Sequence, residues 1–171
     1  MLSFGGGDLA AEGANSKEYQ VKAVFLYNFA HFTEWPTSAL GEANSPLVIG
    51  ILGDDPFSSN LDDIVRGEKV NSHPLIVQRY QQVEDIKACH VLFVSRSETK
   101  HLERIFTTLK SRSILTVGDA DGFAKRGGMI RLVTENNKIR FRVNLEAAKA
   151  ANLTISSKLL RAAEIVSPGE D

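Results

Sequence analysis

The chain has 171 residues, 43% hydrophobic and 24% charged, a size and mix that fit one soluble globular domain with a core of its own. Its 20 Lys and Arg against 21 Asp and Glu leave no basic excess of the kind that marks nucleic-acid or acidic-lipid binding. The single cysteine, Cys89, excludes an internal disulfide, and no apolar run is long enough to span a bilayer.

Residues 1–16 are rich in Gly and Ala, without periodicity and without the basic start and apolar centre of a signal peptide. They read as a disordered segment or a remnant of processing or expression. Residues 17–166 then form a single domain, and 167–171 a polar tail. From Lys17 to Phe32 the spacing predicts a helix, with Val21, Val24, Phe25, Asn28, Phe29 and Phe32 on one stripe. Ala23, Leu26, Tyr27 and Ala30 make the remaining face apolar too. A helix greasy all round must be covered all round: either it lies in the core, or one face docks on another chain. Pro36 ends it, and Trp35 is a packing anchor or an interface residue.

Leu47 to Leu52 is a continuous apolar run typical of a central parallel strand. Asp55 and Pro56 predict a helix start, with Leu61, Ile64 and Val65 inside. The loop between them offers one glycine and two carboxylates, Asp54 and Asp55, and lacks any phosphate-cradling pattern. Pro74 to Tyr80 reads as an edge strand and Cys89 to Val94 as a third strand. Ser95 with Glu98 resembles a capping box leading a helix with Leu102, Ile105, Phe106 and Leu109 on one side. Ile114 to Val117 is the next strand, after which Gly122, Gly127 and Gly128 require a sharp crossing.

Asn136-Asn137 suits a two-residue type I′ turn. Counting outward pairs Glu135 with Lys138, Leu132 with Phe141, Ile130 with Val143, and Arg131 with Arg142, with Arg140 on the same face. Like charges opposed across strands need a flanking carboxylate, a bound anion or plain solvation. Asn144 caps a helix over Leu145 to Ala151, which Asn152 closes. Ser156 or Ser157 caps another, with Leu159, Leu160 and Ala163 inside. Strand and helix thus alternate in an α/β fold. A mostly parallel, Rossmann-like three-layer sheet is flanked by helices, with an antiparallel hairpin near the C-terminal end.

Catalytic chemistry finds little support. His31, His73, His90 and His101 share no metal-ligand spacing, and neighbours Cys89 and His90 point to opposite faces of a strand. Asp54 with Asp55, and Asp119 with Asp121, read as turn or cap residues. No nucleophile motif occurs, so no catalytic residue, metal or cofactor is expected.

The segments EYQVKAVFLYNFAHFTEWP, LVIGILGDDPF, CHVLFVS, ILTVGDADGFAKRGGMIRLV and KIRFRVNLEAAKAANLTISSKLLRAAEIV resemble the YfiR family in order and spacing, from about Glu18 to Val166. The resemblance implies a bacterial periplasmic α/β protein, commonly a homodimer and not an enzyme. It would restrain the periplasmic part of an inner-membrane diguanylate cyclase, so lowering cyclic di-GMP and biofilm signalling. An outer-membrane lipoprotein relieves that restraint in the family. Redox control through disulfides is also linked to the family, and with Cys89 alone an intramolecular disulfide switch is impossible. Candidate contact residues are Phe25, Tyr27, Phe29, Phe32 and Trp35, then Leu159, Leu160 and Arg161. The alternative reading is a sensor of small anions or nucleotides through Arg131, Arg140 and Arg142.

Overall fold

A computed structural model describes residues 6–171, with side chains from residue 15 onward. Helix α1 spans Gly6–His31, so it begins upstream of Lys17 and takes in part of the segment expected to lie outside the fold. Strands β2 (Leu47–Leu52), β4 (His73–Tyr80), β5 (Val91–Val94) and β6 (Leu115–Gly118) run parallel. They continue into β7 (Ile130–Glu135), which forms an antiparallel hairpin with β8 (Lys138–Asn144). Two short outer strands, β3 (Lys69–Val70) and β10 (Glu164–Val166), complete an 8-stranded sheet ordered β10-β8-β7-β6-β5-β2-β4-β3. The fold is therefore mixed α/β with a central, mostly parallel sheet. β4 is next to the edge, because β3 covers its first residues through Lys69–Pro74 and Val70–His73.

The hairpin register is the expected one, including Arg131 opposite Arg142. Asn136 and Asn137 hold φ of 51° and 63°, the left-handed pair a type I′ turn needs. Inside the sheet, side chains alternate between two cores. Ile49, Ile51, Val91, Phe93, Leu115 and Val117 face α1 and α3 (Asn60–Val65). Leu52, Leu92 and Val94 face α4 (Leu102–Leu109) on the other side. The Gly-rich crossing serves the second core. Phe123 is fully buried between Gly118 and Gly128, where an added Cβ would lie 2.6 Å and 2.2 Å from its ring.

Some local starts differ from expectation. Asp55 closes a turn, its Oδ1 accepting from the Phe57 N–H at 2.7 Å, and α3 begins later, at Asn60. Ser95 accepts from the Ser97 N–H, but the turn it opens is a 3₁₀ stretch over Arg96–His101 that precedes α4. Asn144 caps α5 (Leu145–Ala150) and Ser156 caps α6 (Ser157–Arg161) as expected. Between them β9 (Thr154–Ile155) pairs with β1 (Thr33–Glu34), a link that ties the end of α1 to α6.

Candidate functional site

At the carboxyl ends of the strands, where open α/β sheets usually take ligands, the chain places charges of its own. Asp119 follows β6, Arg96 lies just beyond β5, and Tyr19 and Lys22 sit one turn apart on α1. Lys22 Nζ is 2.8 Å from Asp119 Oδ2, with neither side chain exposed at all. Tyr19 donates its hydroxyl to the same oxygen at 2.7 Å, and Arg96 Nε reaches Asp119 Oδ1 at 3.2 Å. Glu18, 3.2 Å from Lys22, completes the cluster. Burial, and then the hydrogen bond to Asp119, push the Tyr19 phenol well above its usual range. Every partner here is engaged, so the cluster anchors α1 to the sheet. The sequence carried one signal of it: Lys22 is the only charged residue from Tyr19 to Ala30, and a Lys in so apolar a helix needs a buried partner.

The other end of α1 is pinned through His90. Trp35 Nε1 donates to the His90 carbonyl at 3.1 Å. His90 Nδ1 accepts from the Val48 N–H at 2.9 Å, so the proton sits on Nε2, 2.8 Å from the Ala39 carbonyl. Burial holds the imidazole below its usual pKa. A cleft of about 570 Å³ opens beside it, lined by Ala39, Val48, Ile76 and Tyr80, but both ring nitrogens are already bonded. Cys89, next door, is buried and its thiol is pushed up to about 12 by desolvation, so it is unreactive. Among the described residues no group of three or more His, Cys, Asp or Glu side chains is placed to hold a metal ion.

With Lys22, Ala23, Leu26, Phe29 and Ala30 turned inward, the opposite side of α1 is left bare. Val21, Val24 and Phe32 are 43%, 45% and 36% exposed, with Asn28 between them at helical spacing. Phe25 flanks this stripe and borders a groove of about 870 Å³ shared with Thr134, Lys138 and Ile139 of the hairpin.

The basic face of the hairpin carries a second construction. Arg131 bonds Asp121 at 2.8 Å, and Arg142 bonds Glu164 of the neighbouring β10 at 3.1 Å. Both guanidiniums bond Asp171, Arg131 at its side-chain carboxylate and Arg142 at its main chain. Asp171 Oδ2 accepts from Arg131 and from the Gly122 N–H at 2.5 Å, its Oδ1 from the Ala124 N–H at 3.2 Å. Arg142 Nη1 donates to an Asp171 main-chain oxygen at 2.7 Å.

The sequence matches the YfiR/HmsC-like family over residues 19–164. The chain belongs to that family. No match was found among curated proteins. Among solved structures, the chain resembles an ABC domain in complex with L-Trp from Streptococcus pneumonia, with a TM-score of 0.52 and 10% identity, over 70% of this chain and 55% of that one. A conserved domain protein from Vibrio cholerae gives a TM-score of 0.49 and 12% identity, over 75% and 56%. The chain thus spans little more than half the length of either, and the likeness is one of fold.

The YfiR/HmsC-like chain sorts the expected contact residues into groups. Phe29, Trp35 and Leu159 are buried, so they serve the core and not a surface. Tyr27 turns toward α3, its hydroxyl donating to Glu68 at 3.2 Å, away from the bare stripe. Phe32 stays exposed and Phe25 half-buried. Leu160 is half-buried and Arg161 exposed, on the helix whose cap residue Ser156 donates its N–H to the Phe32 carbonyl at 2.8 Å. Of the three arginines, Arg131 and Arg142 converge on Asp171, while Arg140 lies opposite Val133, nearer the hairpin tip, and exposed. Tyr19, Lys22, Arg96 and Asp119 were not anticipated as a group, nor were Gly122, Ala124 and Asp171.

Proposed function

We propose that this chain is a non-enzymatic periplasmic regulator. It restrains the periplasmic part of an inner-membrane diguanylate cyclase, or a similar signalling protein, by direct contact, and so lowers cyclic di-GMP output. Family membership supports the regulatory theme. The single observation that carries the contact surface is the charge-free stripe of Val21, Val24 and Phe32, exposed with a half-buried Asn28 among them on a helix anchored from beneath. Phe25, Leu160 and Arg161 border it. Docking there on one state of the cyclase and not the other shifts that protein's population toward the inactive form. An outer-membrane lipoprotein that competes for the same surface would relieve the restraint.

The test is co-purification of the full chain with the periplasmic part of a membrane cyclase encoded beside it, together with cyclic di-GMP measured in cells. Val24→Asp should abolish binding and raise cyclic di-GMP, while stability changes by no more than about 0.5 kcal/mol, as for an exposed site. Binding indifferent to Val24→Asp, or absent from the outset, sinks the reading. The stripe also suits self-association. Size-exclusion at several concentrations, with and without Val24→Asp, tells a homodimer seam from a partner surface.

A further inference from the structure

Arg131 and Arg142 are directly opposed across the hairpin, an arrangement that is unfavourable without compensating anions; Asp121 flanks the first and Glu164 the second, and both arginines also bond Asp171. Asp171 is held from several sides. Two guanidiniums and two backbone N–H groups converge on Asp171, whose side chain is only 16% exposed. Gly122 and Ala124 belong to the crossing loop, and Gly122 itself adopts φ of 74° to aim its N–H at the site. Main-chain donors converging from one loop in this way are a general anion-binding device. The donors are divided between the two oxygens: Arg131 and Gly122 serve Oδ2, Ala124 serves Oδ1. That matches a planar carboxylate better than a tetrahedral phosphate. Arg131 also keeps a buried Nε without a partner among the described residues, so the corner retains unused donor capacity.

Little besides this corner holds Asp171 in place. Ser167 to Glu170 are exposed. Their bonds are local, Glu170 N–H to the Ser167 carbonyl at 3.0 Å and Ser167 N–H to Glu170 Oε2 at 3.2 Å. A segment whose other bonds are local and exposed opens at low cost.

We propose that Arg131, Arg142 and the N–H groups of Gly122 and Ala124 form a binding site for a small carboxylic acid, and that Asp171 fills this site as a tethered competitor. The site lies on the sheet face opposite α1, since Ile130, Leu132, Phe141 and Val143 point into the core shared with that helix. It therefore stands apart from the contact surface proposed above, and either reading survives the loss of the other.

Calorimetry of the full chain against succinate is the test, with wild type, Asp171→Asn, and Asp171→Asn combined with Arg131→Lys. If the tail leaves the site open for about a tenth of the time, Asp171→Asn tightens succinate binding about tenfold. Adding Arg131→Lys, which keeps the charge but loses the fork, should remove most of the gain. Amide spectra give a reading independent of heat: in Asp171→Asn, succinate should shift the Gly122 and Ala124 N–H signals. Equal succinate affinity in wild type and Asp171→Asn overturns the competitor role. Absence of binding in both, or binding without those amide shifts, overturns the site. Inorganic phosphate binding Asp171→Asn as tightly as succinate overturns the assignment to carboxylates.

Discussion

Replacing Asp119 by Asn is the sharpest perturbation of the architecture. The change keeps the shape but takes the negative charge from a position where both it and Lys22 are fully covered. Truncating one member of a buried ion pair costs about 3–5 kcal/mol, because the other charge is stranded. Two features of the cluster bear on that figure. Glu18 remains 3.2 Å from Lys22 and, being 21% exposed, softens the stranding. Tyr19 and Arg96 also lose a charged acceptor, which adds to the loss. The two corrections oppose each other, so the middle of the range stands. For a chain of this size each kcal/mol lowers Tm by about 2–4 °C, so a loss of about 4 kcal/mol should melt the variant about 8–16 °C below wild type. Lys22→Met should cost less, about 1–3 kcal/mol, because Asp119 keeps Tyr19 and Arg96. Urea unfolding of both single variants and the double variant gives the coupling directly. An Asp119→Asn stability within about 1 kcal/mol of wild type, or zero coupling to Lys22, would refute the anchoring argument.

Three further outcomes follow from the packing. Because burial lowers the folded-state pKa of His90, its contribution is fully present above the unfolded value, about 6.5, and is lost as pH falls below it. The urea midpoint should therefore drop more steeply from pH 7 to pH 5 in wild type than in His90→Asn, whose amide oxygen takes the place of Nδ1. Parallel slopes would remove His90 as the cause. Gly128→Ala drives a methyl to 2.2 Å from the Phe123 ring and should destabilise by about 1–3 kcal/mol in thermal melts, with near wild-type stability the contrary result. Cys89, with its thiol pushed up to about 12, should resist Ellman's reagent at pH 8 until the chain is unfolded, and rapid native labelling would contradict its burial.

What the sequence disclosed, and what it withheld, divides along a physical line. The hairpin register was legible to the residue, because a two-residue Asn-Asn turn fixes the count and a period of two does the rest. The central strands were legible from their unbroken apolar runs. The direction of α1 was not. Its stripe of Val21, Val24, Phe25, Asn28, Phe29 and Phe32 is greasier than the face that is actually buried, yet only Phe29 is fully covered: Val21, Val24 and Phe32 are exposed, and Phe25 and Asn28 half-buried. Tertiary pairing decided the matter: satisfying Lys22 against Asp119 rotates the helix, and hydropathy alone contains no term for that. The tail was similarly opaque, since an Asp set among Ser, Pro, Gly and Glu looks solvated until two arginines 29 and 40 positions away are brought to it.

The rotation of α1 gives the buried charge cluster a meaning beyond stability. Had the greasier face turned inward, Lys22 would have pointed to water, with a charge in the middle of whatever surface the outward side offered. Instead the polar anchors lie beneath the helix, at Asp119 toward one end and at His90 beyond the other. The apolar side chains are held outward on a support fixed at two points. A surface held in this way loses little conformational freedom when it is covered, which is the condition under which a modest apolar stripe binds well. The same anchors occupy the strand ends where open α/β sheets usually take ligands, and the carboxylate corner lies off to one side, on the far face of the sheet. The proposed contact stripe and the proposed carboxylate site therefore draw on separate parts of the molecule, and any coupling between them would pass through the β7–β8 hairpin that borders both.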